Sequence, residues 1–173
     1  YGTADDIKPI SLACIKGLLQ SQVPERINYI NAESIAQELG LEIDINYSTV
    51  KSSYINLIST NVTINKTVYK LDGSVFDDHR PRLVNILGRE MEVTPRGTLL
   101  LVKNNDVPGV IGNVGTLLGN LNINIAAYLL NRSGEEGKAF AVIRVDNRLS
   151  NDDLNKLSEI QDIQSVNQIH LSN

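Results

Sequence analysis

Hydrophobic residues in the second half of the chain follow the two-residue period of a strand in some segments and the 3.6-residue period of a helix in others. The predicted strands lie at 99–103, 123–129, 139–145 and 165–171, and the predicted helices lie at 110–121 and from a capping Ser150 onward. Two of the strands alternate apolar and polar residues, whereas the first helix carries a nearly complete apolar stripe at 3.6-residue spacing. The order βαββαβ over about 75 residues predicts a ferredoxin-like domain.

The first half begins with two predicted helices. Apolar residues at 7–19 fall on one helical stripe that includes Cys14, so we expect this thiol to be a small buried hydrophobe. A second helix is predicted at 31–39, between a capping residue and a glycine. Ile35 and Leu39 are its expected buried pair.

Strand patterns follow these helices. Residues 41–47 alternate strictly between apolar and polar, which predicts a half-buried strand. A longer strand is predicted at 54–64, with a bulge where its parity slips at 57–58. Asp72-Gly73 is a hairpin turn signal, and residues 83–87 form a further predicted strand.

The run Thr94-Pro95-Arg96-Gly97 indicates a turn or linker between two domains. We therefore divide the chain into residues 1–95 and 96–173. The predicted fold class is α+β, with a mixed α/β first domain and the ferredoxin-like unit as the second.

Composition narrows the function classes. The chain has 173 residues, of which 42% are hydrophobic, and a net charge of −4, which is typical of a globular domain. No apolar run approaches the roughly 20 residues of a membrane helix, and no basic stripe indicates a nucleic-acid partner. The single cysteine favours a reducing cytoplasm, and an initial Tyr instead of Met suggests a piece of a longer protein.

The most informative stretch, residues 104–115, follows a predicted strand and opens a helix. Free backbone N–H groups and the helix dipole at that point attract a carboxylate or phosphate, while the negative charge of Asp106 attracts an ammonium. Together these groups suit an amino acid zwitterion. The alternative is an ordinary helix start, with Gly112, Gly115 and Gly119 allowing close packing.

Other signals are weaker. Lys51, Arg80 and Arg82 form a loose basic group, which suits an anionic effector or equally a solvated strand edge. We find no dinucleotide fingerprint, phosphate loop or nucleophile elbow. The three adjacent side chains of Asp77-Asp78-His79 do not converge on one ion, so no metal site is predicted. No motif indicates catalytic residues, so none are predicted.

Several motifs carry a family resemblance. Residues 106–112, 117–119 and 123–126 resemble an ACT domain, a small-molecule sensing module of amino acid metabolism. Residues 109–119 resemble more closely the D-3-phosphoglycerate dehydrogenase family. Residues 29–40 and 82–88 are similar to the intervening (allosteric substrate-binding) domain of the long forms of that enzyme.

The resemblance implies a partial intervening domain, shortened at its N-terminus, at 1–95 and an ACT domain at 96–173. It also implies a parent enzyme that oxidises 3-phosphoglycerate with NAD in L-serine biosynthesis, whereas this chain lacks the catalytic domains and carries no cofactor. ACT domains of the family pair side by side in a homo-oligomer, and L-serine binds and inhibits at that interface. The implied effector-binding residues are Asn104, Asp106, Val110, Ile111 and Asn124.

Two other functions remain open. The first is the regulatory part of an iron–sulfur L-serine dehydratase, which carries similar domains. The second is an assembly module with a vestigial effector site, because Asn104 stands where some members of the family have His or Tyr.

Overall fold

The computed structural model describes residues 7–48, 53–132 and 136–171. The chain divides into two compact units, Tyr1–Leu57 and Ile58–Asn173.

The first unit contains two helices, α1 (Lys8–Leu19) and α2 (Ala32–Glu38). Its small core consists of Ile15, Leu19, Ile27, Ala32 and Ala36. Both helices were predicted, because their apolar residues recur at helical spacing.

The buried faces of these helices differ from the prediction. Leu39 is 52% exposed and Ile35 is only partly buried, since the small Ala32 and Ala36 form the contact face of α2. Cys14 is exposed, so the expectation of a buried thiol is wrong. The stripe that included it is broad, and only its Ile15 and Leu19 edge is buried.

The strand predicted at 41–47 does not form. Residues 41–48 have no regular secondary structure, and Ile43, Ile45 and Tyr47 are all more than two-fifths exposed. Alternation of apolar and polar residues gives a strand one apolar face that can pack in a sheet. A strand also needs a neighbouring strand with which to form hydrogen bonds. No ladder in the described residues includes this segment.

The second unit begins with a four-stranded antiparallel sheet. Its strands follow chain order: β1 (Ile58–Ile64), β2 (Thr67–Val75), β3 (Pro81–Ile86) and β4 (Arg89–Val93). Asn65-Lys66 and Leu87-Gly88 form two-residue turns in which both residues have positive φ, the geometry that tight hairpins favour.

Two details of this sheet correct the sequence interpretation. Asp72-Gly73 lies inside β2, where the register shifts, so it is a bulge and not a hairpin turn. No bulge lies at 57–58, because β1 simply begins at Ile58. The predicted strand at 83–87 is confirmed as β3.

The rest of the second unit is the predicted ferredoxin-like domain. Its elements are β5 (Gly97–Asn105), α3 (Val110–Asn120), β6 (Ile125–Asn131), β7 (Lys138–Val145), α4 (Asn151–Ser158) and β8 (Ile163–Leu171). The antiparallel sheet has the order β6-β7-β5-β8. The predicted βαββαβ order and fold class are confirmed.

Apolar layers cover both faces of this sheet. One face packs on the helices through residues that include Leu100, Ile143, Val114, Leu118 and Leu157. On the other face, Ile86 and Val93 of the first sheet pack with Leu99, Phe140 and Val142. The central strands β5 and β7 are therefore almost continuously buried.

This packing bears on the predicted boundary at 95–96. The first sheet belongs to the same compact unit as the ferredoxin-like domain, because the two sheets share a core. The position therefore marks no break in the packing, and the division into 1–95 and 96–173 stays a prediction.

Replacing Ser150 by Ala should destabilise the second unit by about 0.5–2 kcal/mol. The Ser150 hydroxyl accepts from the Asp153 N–H at 3.2 Å and donates to the Asp153 carboxylate at 2.7 Å, which confirms the predicted cap. Urea unfolding measures the loss.

The same variant should raise the pKa of Asp153 toward its ordinary value, because the Ser150 hydroxyl and then the Lys156 ammonium hold it low. A carboxylate with a lowered pKa stabilises above its unfolded pKa and loses that effect as the pH falls through the folded pKa. NMR titration of the carboxyl carbon checks the direction, and an unchanged pKa would contradict this role of Ser150.

Candidate functional site

The candidate site lies where β5 ends and α3 begins. Gly109 precedes the helix with φ 97°, a left-handed conformation that glycine adopts without strain. The first N–H groups of α3, including those of Val110 and Ile111, have no acceptor within the helix. The Val110 side chain is buried and that of Ile111 is 47% exposed, so the helix start is anchored on one side and open on the other.

Asp106 supplies a carboxylate just before this helix. Its N–H donates to the Gly137 carbonyl at 2.9 Å, which fixes its backbone. One carboxylate oxygen lies 3.2 Å from Nε of Arg132, with the side chains 29% and 68% exposed respectively. The predicted ammonium acceptor therefore already has a cationic neighbour from the end of β6.

Asn104 lies near the end of β5, two residues before Asp106. In the alternation of β5 it follows Leu100 and Val102, which face the helices. It is only 4% exposed, and its amide nitrogen donates to the Asn105 carbonyl at 2.6 Å. Its side-chain oxygen Oδ1 is buried and has no hydrogen-bond partner among the described residues, which is costly for a polar atom.

Asn124, the fifth predicted effector residue, lies elsewhere. It is exposed, and its amide donates to the Asp146 carboxylate at 2.9 Å. The register pairs Asn104 with Ala139 and Ile125 with Val145, at opposite ends of β7. Six residues at about 3.3 Å each separate the two ends by roughly 20 Å. One chain alone does not bring Asn124 to Asp106.

The predicted group for an anionic effector is already neutralised in part. Lys51 lies outside the described residues. Arg82 and Arg80 share the Asp78 carboxylate, at 3.2 and 4.0 Å. The Arg80 backbone N–H and the two nearby guanidinium groups hold the pKa of Asp78 below its ordinary value. A role for Lys51, Arg80 and Arg82 in binding an anion stays a prediction.

A cavity of about 180 Å³ lies between β4 and the face of the ferredoxin-like sheet that β5, β6 and β7 form. Its floor is apolar, with Leu99, Leu129 and Val142, and Glu92 and Arg144 supply opposite charges. In the part of the chain that the structure describes, Arg144 is half-buried and has no ion pair. Sequence reasoning missed it, because Arg144 stands at a polar position of an alternating strand and has no motif around it.

Asn105 is a second residue without a sequence signal. Its side-chain oxygen accepts from Lys138 at 2.8 Å and from Gln164 at 2.9 Å, and its amide donates to Asp162 at 2.8 Å. This network joins β5, β7 and the start of β8, and so holds the strand end that carries Asn104.

Two searches cover only residues 7–48, 53–132 and 136–171. They contain no cluster of three His, Cys, Asp or Glu side chains able to hold a metal ion. Their helices are too short or too polar to span a membrane.

The geometry defines a ferredoxin-like domain that packs on the first sheet, β1–β4. Polar groups lie around the start of α3, the first helix of that domain. Residues 2–87 match the family described as D-3-phosphoglycerate dehydrogenase intervening domain. A solved structure, the ACT domain from GTP pyrophosphokinase of Chlorobium tepidum, matches 43% of this chain and 97% of its own, with 15% identity and a TM-score of 0.35.

Relatives match along nearly the whole chain. D-3-phosphoglycerate dehydrogenase of Bacillus subtilis is 32% identical over 94% of this chain and 31% of its own length. The enzyme of Methanocaldococcus jannaschii is 30% identical over 94% and 30%, and that of Synechocystis is 27% identical over 95% and 30%. The chain belongs to the D-3-phosphoglycerate dehydrogenase family, and it spans about 30% of the length of these relatives.

Proposed function

We propose that this chain is the regulatory part of a D-3-phosphoglycerate dehydrogenase and that it binds L-serine between two copies of its ferredoxin-like domain. The supporting observation is the unpartnered Oδ1 of Asn104, a buried acceptor near the end of β5, two residues before Asp106 and shortly before the start of α3. A ligand that donates a hydrogen bond to this buried acceptor would satisfy it.

The three groups of serine match the chemistry of this site. The carboxylate meets the free N–H groups of Val110 and Ile111 and the positive end of the helix dipole. The ammonium has Asp106 and the Asn104 oxygen as acceptors, which a charge-assisted hydrogen bond favours. The hydroxyl group needs a further polar partner, and Asn124 of a second copy supplies it.

The free edge of β6 supports pairing with a second copy. Among the described strands β6 pairs only with β7, and its sequence Ile-Ala-Ala-Tyr-Leu-Leu-Asn carries no charge. Proteins usually protect such an edge with charges or proline. Two antiparallel copies of β6 bring Asn124 of one chain to the end of β6 of the other, where Arg132 contacts Asp106.

Regulation follows from binding across two subunits. Serine stabilises the subunit arrangement in which both halves of its site meet, and it shifts the equilibrium only by its preference for that arrangement. A coupling of about 1–3 kcal/mol is typical of such devices. The oxidation of 3-phosphoglycerate with NAD belongs to catalytic domains outside this sequence, and a cytoplasmic location is part of the same proposal.

The family match disfavours the iron–sulfur L-serine dehydratase that the sequence alone left open. One alternative, the assembly module, predicts a different outcome. An assembly module would form the dimer without serine, and the ion pair that Asp106 already makes is the observation in its favour.

Calorimetric titration of the 173-residue chain with L-serine, together with sedimentation velocity, tests the proposal. We expect one serine per interface site and a dimer that serine stabilises. A dimer without measurable serine binding would support the assembly module instead. Serine binding to a stable monomer would refute the two-chain site.

A further inference from the structure

The ion pair between Asp106 and Arg132 joins a fixed partner to a loosely held one. The Asp106 side chain is 29% exposed and its backbone N–H is bonded to Gly137. The Arg132 side chain is 68% exposed and follows the last residue of β6. Its Nε lies 3.2 Å from one carboxylate oxygen of Asp106. Breaking the contact therefore moves the arginine and leaves the carboxylate in position.

We propose that Arg132 is an internal competitor for the ammonium group of the effector, so that it lowers the affinity of the site and determines how strictly an amino group is required. The inference rests on the proposed function, since it concerns the same carboxylate. A guanidinium and an ammonium beside one carboxylate repel each other, so the ligand must displace the arginine.

The size of the effect follows from the exposure of the pair. Exposed ion pairs of this kind contribute little, so the open form of Asp106 is a substantial minority of the population. The apparent dissociation constant is the intrinsic one divided by that open fraction. Removing the arginine should tighten serine binding about two- to six-fold.

Removing Arg132 should weaken the binding of a ligand that has no amino group, whereas it tightens the binding of serine. With Arg132 present, Asp106 is neutralised, and 3-hydroxypropanoate meets no bare negative charge. When Arg132 is removed, the carboxylate of 3-hydroxypropanoate lies near an Asp106 whose charge is no longer compensated, and the two negative groups repel each other. The preference for serine over 3-hydroxypropanoate should therefore rise by more than the gain in serine affinity alone.

The experiment compares four forms of the 173-residue chain in calorimetric titrations: wild type, Arg132→Gln, Arg132→Lys and Lys156→Gln. Lys156→Gln is the matched control, because it removes the cation of another exposed pair, 3.0 Å from Asp153. We expect tighter serine and weaker 3-hydroxypropanoate binding for Arg132→Gln. Arg132→Lys should restore most of the competition, and the control should bind like wild type.

The outcomes separate the two proposals. If serine binds to wild type and binds Arg132→Gln equally or more weakly, the competitor role is refuted and the serine site stands. A parallel shift for both ligands would also refute it, because it indicates a structural effect. If serine binds to none of the four forms while their unfolding is cooperative, the serine site and the competitor role both fail.

Discussion

L-Serine should bind about 10- to 100-fold more weakly when Asp106 is replaced by Ala. The substitution removes the proposed acceptor of the serine ammonium, and hydrogen bonds to charged groups contribute more than neutral ones. Asn124→Ala should weaken binding less, because a neutral amide is lost. Titration calorimetry of each variant gives the ratio of dissociation constants.

Asp152→Ala is the matched control for Asp106→Ala. Asp152 is an exposed carboxylate in the first turn of α4, so its loss changes the net charge equally and leaves the site intact. Equal affinities for Asp106→Ala and wild type would contradict the assignment, provided that both unfold cooperatively at similar urea concentrations.

A lysine at position 115 should weaken dimerisation about 10- to 100-fold and weaken serine binding with it. Gly112, Gly115 and Gly119 lie on one flank of α3, and a Cβ atom at any of them meets nothing within 4 Å in this chain. Folding of a single chain therefore does not require glycine there, and glycine in a helix interior costs about 0.5–1 kcal/mol relative to alanine. Close approach of a second copy explains the residue type.

Asn120→Lys is the control on another flank of the same helix, because five residues at about 100° each place the exposed Asn120 roughly 140° around the helix from Gly115. Sedimentation equilibrium should give a normal dimer for this variant and a dissociated chain for Gly115→Lys. Both variant chains should remain folded and unfold cooperatively on heating. A Gly115→Lys chain that dimerises like wild type would show that the flank is not at the interface.

Much of the fold could be predicted from the sequence, because in the second half of the chain the local helix and strand preferences agree with the packing of the folded domain. The stripe through Val110, Val114 and Leu118 is buried as its spacing predicts, and Ser150 caps the next helix. The strand alternation at 139–145 gave the right element, although the observed burial is almost continuous. β7 is central, and the helices cover one of its faces while the first sheet covers the other.

The failures occurred where burial depends on a partner that local sequence does not name. Residues 41–47 alternate like a strand yet have no neighbouring strand in the described residues. Asp72-Gly73 looked like a turn, but Asn65-Lys66 closes the hairpin. Both dipeptides suit positive φ or a bulge, and only the pairing of β1 with β2 decides which one turns the chain.

Of the five predicted effector residues, four lie around the connection from β5 to α3, and Asn124 lies apart from them. Asn104, Asp106 and the start of α3 are adjacent in sequence, so their proximity followed from the strand-to-helix connection. The Arg132 contact is not local, because it arises from the antiparallel arrangement around β7. The position of Asn124 at the far end of that strand follows from the same register.

Mixed dimers measure most directly whether one site takes its groups from two chains. Asp106→Ala and Asn124→Ala chains, carrying different tags and purified as a heterodimer, contain one site with both groups and one with neither. The account predicts one serine per heterodimer at wild-type affinity, while both parent homodimers bind weakly. A heterodimer that binds no more tightly than its parents would contradict a shared site.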